Sequence, residues 1–401
     1  MKKIIIFILL FINTLFANFN IVTKEDINTL KDLGLPQGFL YETRYMNTYK
    51  KLTKQKNIKY YDNIFKKESL ITKIVQTKLE DEDLPSFLFF IPLIETGYNN
   101  IVSKNGSSGL WQIMPVTANG LKLRRDFYID ERLDLIKSTD AAVSYLKKFY
   151  KKLDKWYLAV IVYNAGEGRL MSGIARATLD KYLEKNPNMQ HDKVIKVYRF
   201  YIEDYLRDKK GIDNLYTIYK DLGINGGYFD YLYLLKHNNK RDYLPNTSIN
   251  YINKLTSFSI MANKSAFKHI DKQAKYELVK VEAKKGLKLK TVSDSISLNY
   301  SEFRSFNKHF LQAIIPNDTK EYNLYIPDTK LELFNSKLAN MQEPNLNNNL
   351  EFKQKIIYTV VQGDTLNAIA KKYQISVKKL KIDNNKINDH LKIGEKIEIY
   401  K

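Results

Sequence analysis

The chain has 401 residues, enough for two to four domains with at least one substantial core, and its 44% hydrophobic and 27% charged residues are typical of a soluble globular protein. Cysteine is absent, which excludes disulfides and thiolate metal sites, and five scattered histidines leave little for a metal centre, so no cofactor is expected. The formal net charge of +21 suits an anionic partner, although a lysine-rich composition alone names no ligand.

Met1-Lys2-Lys3, an almost wholly apolar run over residues 4–12 and Ala17 describe a secretory signal peptide over residues 1–17. The run is too short to span a bilayer comfortably, and an uncleaved N-terminal anchor is the alternative. With no cysteine after it, no lipid anchor is expected. Either way the folded part is exported to the periplasm or cell envelope. That destination argues against nucleic acid and for an envelope polymer or membrane surface. Residues 18–75 read as a helical N-terminal region. The helical pattern continues over 76–270, where Ala142, Leu146, Phe149, Tyr150 and Leu153 form an apolar stripe at three- and four-residue steps. Thr139-Asp140 reads as that helix's cap. Leu158, Ala159, Ile161 and Val162 make the next apolar run, ending at Asn164-Ala165-Gly166, and further helices are expected over 193–207, 222–236 and 249–262.

Near residue 276 the period changes. Residues 278–281 and 322–327 read as strands with helix between them, residues 331–355 as a linker, and 356–401 as a compact strand–helix–helix–strand unit. Residues 276–330 repeat this plan loosely. Lys285-Gly286 stands where Gln362-Gly363 does, and Phe306-Asn307 where Asp383-Asn384 does. Gly363-Asp364-Thr365 reads as a turn and helix cap.

The apolar segment Phe87-Leu88-Phe89-Phe90-Ile91-Pro92-Leu93-Ile94 runs directly into Glu95. A carboxyl held against such a wall has its charged form disfavoured and stays protonated at higher pH, which suits a glycosidase acid. Gly109-Leu110-Trp111-Gln112-Ile113-Met114-Pro115 and Val162-Tyr163-Asn164-Ala165-Gly166 follow. Hydrolysis of a glycoside ordinarily uses two carboxylates. Asp126, Asp130, Glu131 and Asp134 lie in a charged stretch with no apolar run to bury them, and Glu167 reads as solvated. A single-acid mechanism is therefore the better reading, and Trp111 reads equally as core or cleft.

These three motifs, in this order, resemble the lysozyme-like domain of bacterial lytic transglycosylases. The C-terminal unit resembles a LysM domain, and the combination resembles the membrane-bound lytic murein transglycosylase D family. The catalytic likeness covers about residues 76–255 and the LysM likeness about 356–401. The resemblance implies a mainly α fold: a lysozyme-like helical catalytic domain followed by small α/β LysM modules, the first of them (276–330) degenerate. It implies Glu95 as the sole catalytic acid, with Thr96 in place of the usual serine. Ser103, Gly109, Gln112, Met114, Tyr163, Asn164 and Tyr251 are implied as substrate-binding residues. Thr247 stands where the family's last motif, the one holding Tyr251, usually has glutamate. In the LysM unit, Gly363, Asp364, Thr365, Ile387 and Leu391 are implied in glycan binding. The implied partner is the peptidoglycan glycan strand, cleaved without water to a 1,6-anhydromuramoyl product. The rivals are a hydrolytic muramidase and a non-catalytic wall-binding protein.

Overall fold

In a computed structural model, the structure describes residues 22–282, 284–318, 320–338, 355–384 and 389–400. The expected signal segment, residues 339–354 of the expected linker, and Ile387 lie outside them. The chain divides into two compact units, one formed by Met1–Lys67, Leu79–Ile94 and Val143–Asp271, the other by Glu68–Lys78, Glu95–Ala142 and Lys272–Lys401. The fold is mainly helical, with three small two-stranded antiparallel sheets among the described residues.

The first unit is built from amphipathic helices around two apolar ones. Trp156–Ala165 is buried from Trp156 through Val162, and Asn246–Asn263 is buried along most of its length. Phe65, Phe89, Phe90, Phe258 and Phe267 pack ring to ring at 5.2–6.4 Å. Such offset and edge contacts each add about 0.5–1.5 kcal/mol beyond area burial. The helix expected over 222–236 is interrupted. Tyr219–Asn225 is a π-helical turn ending at Gly226, Gly227 takes φ +72°, and Asp230 caps a new helix, Tyr231–Arg241. A left-handed glycine followed by an N-capping aspartate stops one helix and starts another, which apolar spacing alone does not register.

The second unit holds both strand–helix–helix–strand modules. In the first, Leu278–Val281 pairs antiparallel with Leu324–Pro327 around Leu289–Ser295 and Tyr300–Phe306; in the second, Lys355–Thr359 pairs with Lys396–Tyr400 around Leu366–Lys372 and Val377–Asp383. The repeat extends to a side-chain device. The Asn307 amide donates to Tyr325 O (2.8 Å) and accepts from Tyr325 N (3.0 Å), while Asn384 does the same to Glu398 O (2.7 Å) and Glu398 N (2.6 Å). A carboxamide supplies one acceptor and two donors, so it can stand in for a missing neighbour strand. Residues 331–338, expected to begin a linker, are a helix whose Phe334 is buried in the first module's core. The helix Leu135–Leu153 starts at Asp134, whose Oδ1 accepts from Ile136 N and Lys137 N, and not at Thr139-Asp140. Thr139 is buried inside that helix.

Candidate functional site

In the second unit, Glu95 is the penultimate residue of Phe90–Thr96. Phe90 through Leu93, which precede it in the chain, are buried, whereas Glu95 itself is half-exposed. Gly97 (φ +61°) and Tyr98 (φ +62°) end the helix there, and the buried Tyr98 turns the chain away. The Thr96 hydroxyl donates to Leu110 O at 3.3 Å, tying the helix end to the loop that follows.

That loop is closed by backbone pairing of Ile101–Val102 with Ser108–Gly109 and by a bridge between Ser108 and Ile113. Gly109 is obligatory, since its φ is +87° and a Cβ would lie 1.8 Å from Arg132 O. Gln112 also has positive φ. Its Oε1 accepts from Ser107 Oγ (2.7 Å), and its Nε2 donates to Gly109 O (2.7 Å) and Ile101 O (3.1 Å). The amide thus clips the loop shut. Ser103 Oγ lies 2.8 Å from Ser107 Oγ, and Met114 is exposed before the helix Pro115–Gly120. Trp111 is core: it is fully buried and donates Nε1–H to Thr139 Oγ1 at 2.9 Å.

The charged stretch behind the loop reverses expectation. Asp130, Glu131, Arg132 and Asp134 are all buried. Arg132 grips Asp130 with two parallel bonds (2.9 and 2.7 Å) and sends its remaining guanidinium nitrogen to Gly106 O (2.7 Å) and Ile113 O (3.0 Å). Glu131 accepts from Lys137 Nζ (2.7 Å) and Arg124 N (2.8 Å). Asp134 accepts from Tyr325 OH at 2.8 Å. Paired and hydrogen-bonded charges can be buried without an apolar run, which is why hydropathy misses them. Sequence reasoning overlooked Arg132, for which an arginine inside an acidic run was the one available signal.

In the first unit, Tyr163 is half-exposed and Asn164 exposed at the end of Trp156–Ala165, which Gly166 (φ +86°) terminates. The Tyr163 ring meets Tyr145 edge-on at 6.1 Å. Asn164 Oδ1 accepts from the buried Ser248 Oγ at 2.7 Å. Tyr251, one turn further along Ser248's helix, is buried. Ser248 is a second residue that sequence reasoning did not single out. Glu167 is clamped, contrary to expectation: it accepts from Lys152 Nζ (2.6 Å) and Tyr216 OH (2.9 Å), with Lys152 over the Tyr216 ring at 3.9 Å. Burial, and then the Glu167 hydrogen bond, push the Tyr216 hydroxyl far above its ordinary range, so it remains a donor.

In the terminal module, Gly363 takes φ +89°, Asp364 Oδ2 accepts from Val361 N (2.8 Å) and Tyr358 OH (2.9 Å), and Thr365 Oγ1 caps the next helix through Ala368 N (3.1 Å). Leu391 packs half-buried on the module's core. Val361 and Ile393 are both exposed beside the backbone bonds that join Val360 to Gly394 and Glu395. Among the described residues no group of three or more His, Cys, Asp or Glu could hold a metal, and no helix is long and apolar enough to cross a membrane.

Three family models match the chain: the transglycosylase SLT domain over residues 73–184, the lytic transglycosylase MltD LysM-like domain over 277–343, and the LysM domain over 358–399. Glu95 through Asn164 fall inside the first, and Tyr251 lies beyond it. The "Membrane-bound lytic murein transglycosylase D" proteins of Escherichia coli strains K12 and O6:H1 are each 22% identical over 331 residues, covering 80% of this chain and 61% of theirs. A "Putative tributyltin chloride resistance protein" of Alteromonas sp. (strain M-1) is 37% identical over 103 residues, 25% of this chain and 50% of its own. The chain thus spans between half and two-thirds of the length of these relatives. In chain order it combines a transglycosylase SLT domain, an MltD-type LysM-like domain and a terminal LysM domain.

Proposed function

We propose that the protein is an exported lytic transglycosylase that cleaves the β-1,4 bond between N-acetylmuramic acid and N-acetylglucosamine in peptidoglycan. The observation that carries this reading is the disposition of the carboxylates. Asp130, Glu131 and Asp134 are buried and committed to Arg132, Lys137, Arg124 and Tyr325, and Glu167 is held by Lys152 and Tyr216. Glu95 stands half-exposed at a helix end, and the Gly109–Gln112 turn is tied to its neighbour Thr96 through Leu110 O. A second carboxylate for hydrolysis is not offered by these segments, so one residue does both proton transfers.

Glu95 protonates the glycosidic oxygen, and the bond to muramoyl C1 breaks as an oxocarbenium-like centre develops. The substrate's own acetamido group stabilises that centre. The Glu95 carboxylate then takes the proton from the muramoyl C6 hydroxyl, whose oxygen closes on C1. The products are a free N-acetylglucosamine C4 hydroxyl and a 1,6-anhydro sugar, with no water consumed. Closure is fast because the attacking oxygen is already in place. Asn164 and Tyr163 would bind the acetamido sugar. Thr96, Ser103, Gly109, Gln112, Met114 and Tyr251 shape or support the binding surface. By resemblance Gly363, Asp364, Thr365, Ile387 and Leu391 bind glycan in the LysM module, which raises local substrate concentration by tethering. The net charge of +21 adds attraction to an anionic wall.

The test is mass spectrometry of purified peptidoglycan digested by the protein and by Glu95→Gln. Anhydromuropeptides from the first and none from the second are expected. Products heavier by one water would instead make the protein a muramidase. No release from either, with wall binding retained, would make it a binding protein.

A further inference from the structure

We infer that the LysM-like module at residues 278–338 is a fixed brace for the 106–113 loop, not a second tethered glycan-binding head. Two sets of observations carry this. First, the module's two connecting loops pair with one another: Gly286 N donates to Ile315 O, Ile315 N to Leu287 O, and Leu289 N to Ala313 O, each at 2.9 Å. That ladder ties the two loops to one another along their backbones.

Second, the module is joined to the segment behind the loop as one strand is joined to another. Leu311 N donates to Tyr128 O (2.7 Å), Asp130 N donates to His309 O (2.9 Å), and Ile129 bridges Phe310. Gln312 Nε2 adds a bond to Phe127 O at 3.1 Å. Ile129 and Leu135 are buried in the same core as Phe303, Phe306, Phe310 and Phe334, so no apolar boundary separates module from segment. A tethered head would keep its own core and solvated linkers.

The connection continues to the loop. Tyr325, on the module's second strand, donates its hydroxyl to Asp134, which caps the helix Leu135–Leu153 and fixes the backbone just before it. Leu133 O there accepts from Asn100 Nδ2 at 2.7 Å. Arg132 O bears on Gly109, and the Arg132 guanidinium holds Gly106 O and Ile113 O. Tyr325, Asp134 and Arg132 are therefore positioning residues for the turn that carries Gln112. Tyr325, Asp134, Leu133, Arg132, Asn100 and Ile113 are all buried, so loosening one end is transmitted towards the loop and not absorbed by solvent.

The experiment is amide hydrogen exchange on the full chain, comparing wild type with Tyr325→Phe and with the milder Gln312→Ala. Exchange at residues 106–113 should rise at least about fivefold in Tyr325→Phe and less in Gln312→Ala, with the terminal LysM residues 355–384 unchanged. A rise confined to 278–338 would overturn the inference, and so would a uniform rise over the whole chain, because neither singles out a path to the loop. Glycan release should fall in parallel while wall binding holds. That arm rests on the proposed function, whereas the exchange arm stands even if the protein cleaves nothing.

Discussion

Gly106 and Gly109 form a matched pair in which one substitution isolates one contact. Both have nearly the same strained backbone, φ +90° and +87°, but a Cβ on Gly106 would meet nothing within 4 Å, whereas on Gly109 it would lie 1.8 Å from Arg132 O. Alanine at either site incurs the left-handed penalty of about 1–2 kcal/mol. At Gly109 the two backbones must also part by more than about 1 Å to approach the ordinary contact distance of about 3.5 Å. Parting moves Arg132 away from Ile113 O, now 3.0 Å from Nη1, and strains its bond to Gly106 O at 2.7 Å. A buried hydrogen bond from a charged donor is worth about 1.5–3 kcal/mol, so Gly109→Ala should cost about 2.5–5 kcal/mol in all against about 1–2 for Gly106→Ala. The chain has two tryptophans, and in a Trp156→Phe background the fully buried Trp111, two residues from Gly109, reports the loop alone. Urea unfolding followed by its fluorescence gives both free energies. Equal destabilisation of the two variants, within about 0.5 kcal/mol, would refute the close approach of Gly109 to Arg132 and with it the argument that this position must be glycine.

Two further expectations concern buried hydrogen bonds. Burial holds His309 below its ordinary value of about 6.5, while nearby Asp134, Glu131 and the Asn323 carbonyl partly oppose that and Arg304 reinforces it. The unfolded chain therefore takes the proton first. This stability is fully present above about pH 6.5 and is lost as pH falls towards the lower folded value, by at most about 1.4 kcal/mol per pH unit. His309→Gln, whose amide can still donate to Asn323 O, should flatten the fall in unfolding midpoint between pH 7 and pH 5, and an unchanged slope would sink the assignment. Separately, Ser248→Ala removes the donor to Asn164 Oδ1 and should raise the KM for glycan strands severalfold at a stability cost of about 1 kcal/mol. Ser248→Thr should restore it, and equal kinetics in all three proteins would show that the bond does not orient Asn164.

What the sequence determined by itself was local. The apolar run into Glu95, the helix stripe through Leu146 and Leu153, the Thr365 cap and the two-fold strand–helix–helix–strand plan are read from neighbours a few residues apart, and such patterns survive folding because each element carries its own period and punctuation. Even the equivalence of Asn307 and Asn384 was visible from position alone, although its purpose, clamping a strand's backbone, was not. The tertiary structure decided what depends on distant partners. Asp130, Glu131 and Asp134 look solvated in the sequence, and their burial became possible only because Arg132, Lys137 and Tyr325 converge on them. Gln112 is implied as a substrate-binding residue by resemblance, and that its amide also clips the loop through Ser107 and Gly109 is visible only in the fold. Trp111 became core by finding Thr139, 28 positions away. That Leu311 of the LysM-like region pairs with Tyr128, 183 positions earlier, is likewise visible only in the fold. Charge and polarity are properties of a residue, but the cost of burying them depends on which groups the fold brings within hydrogen-bond reach, and one-dimensional spacing does not contain that information.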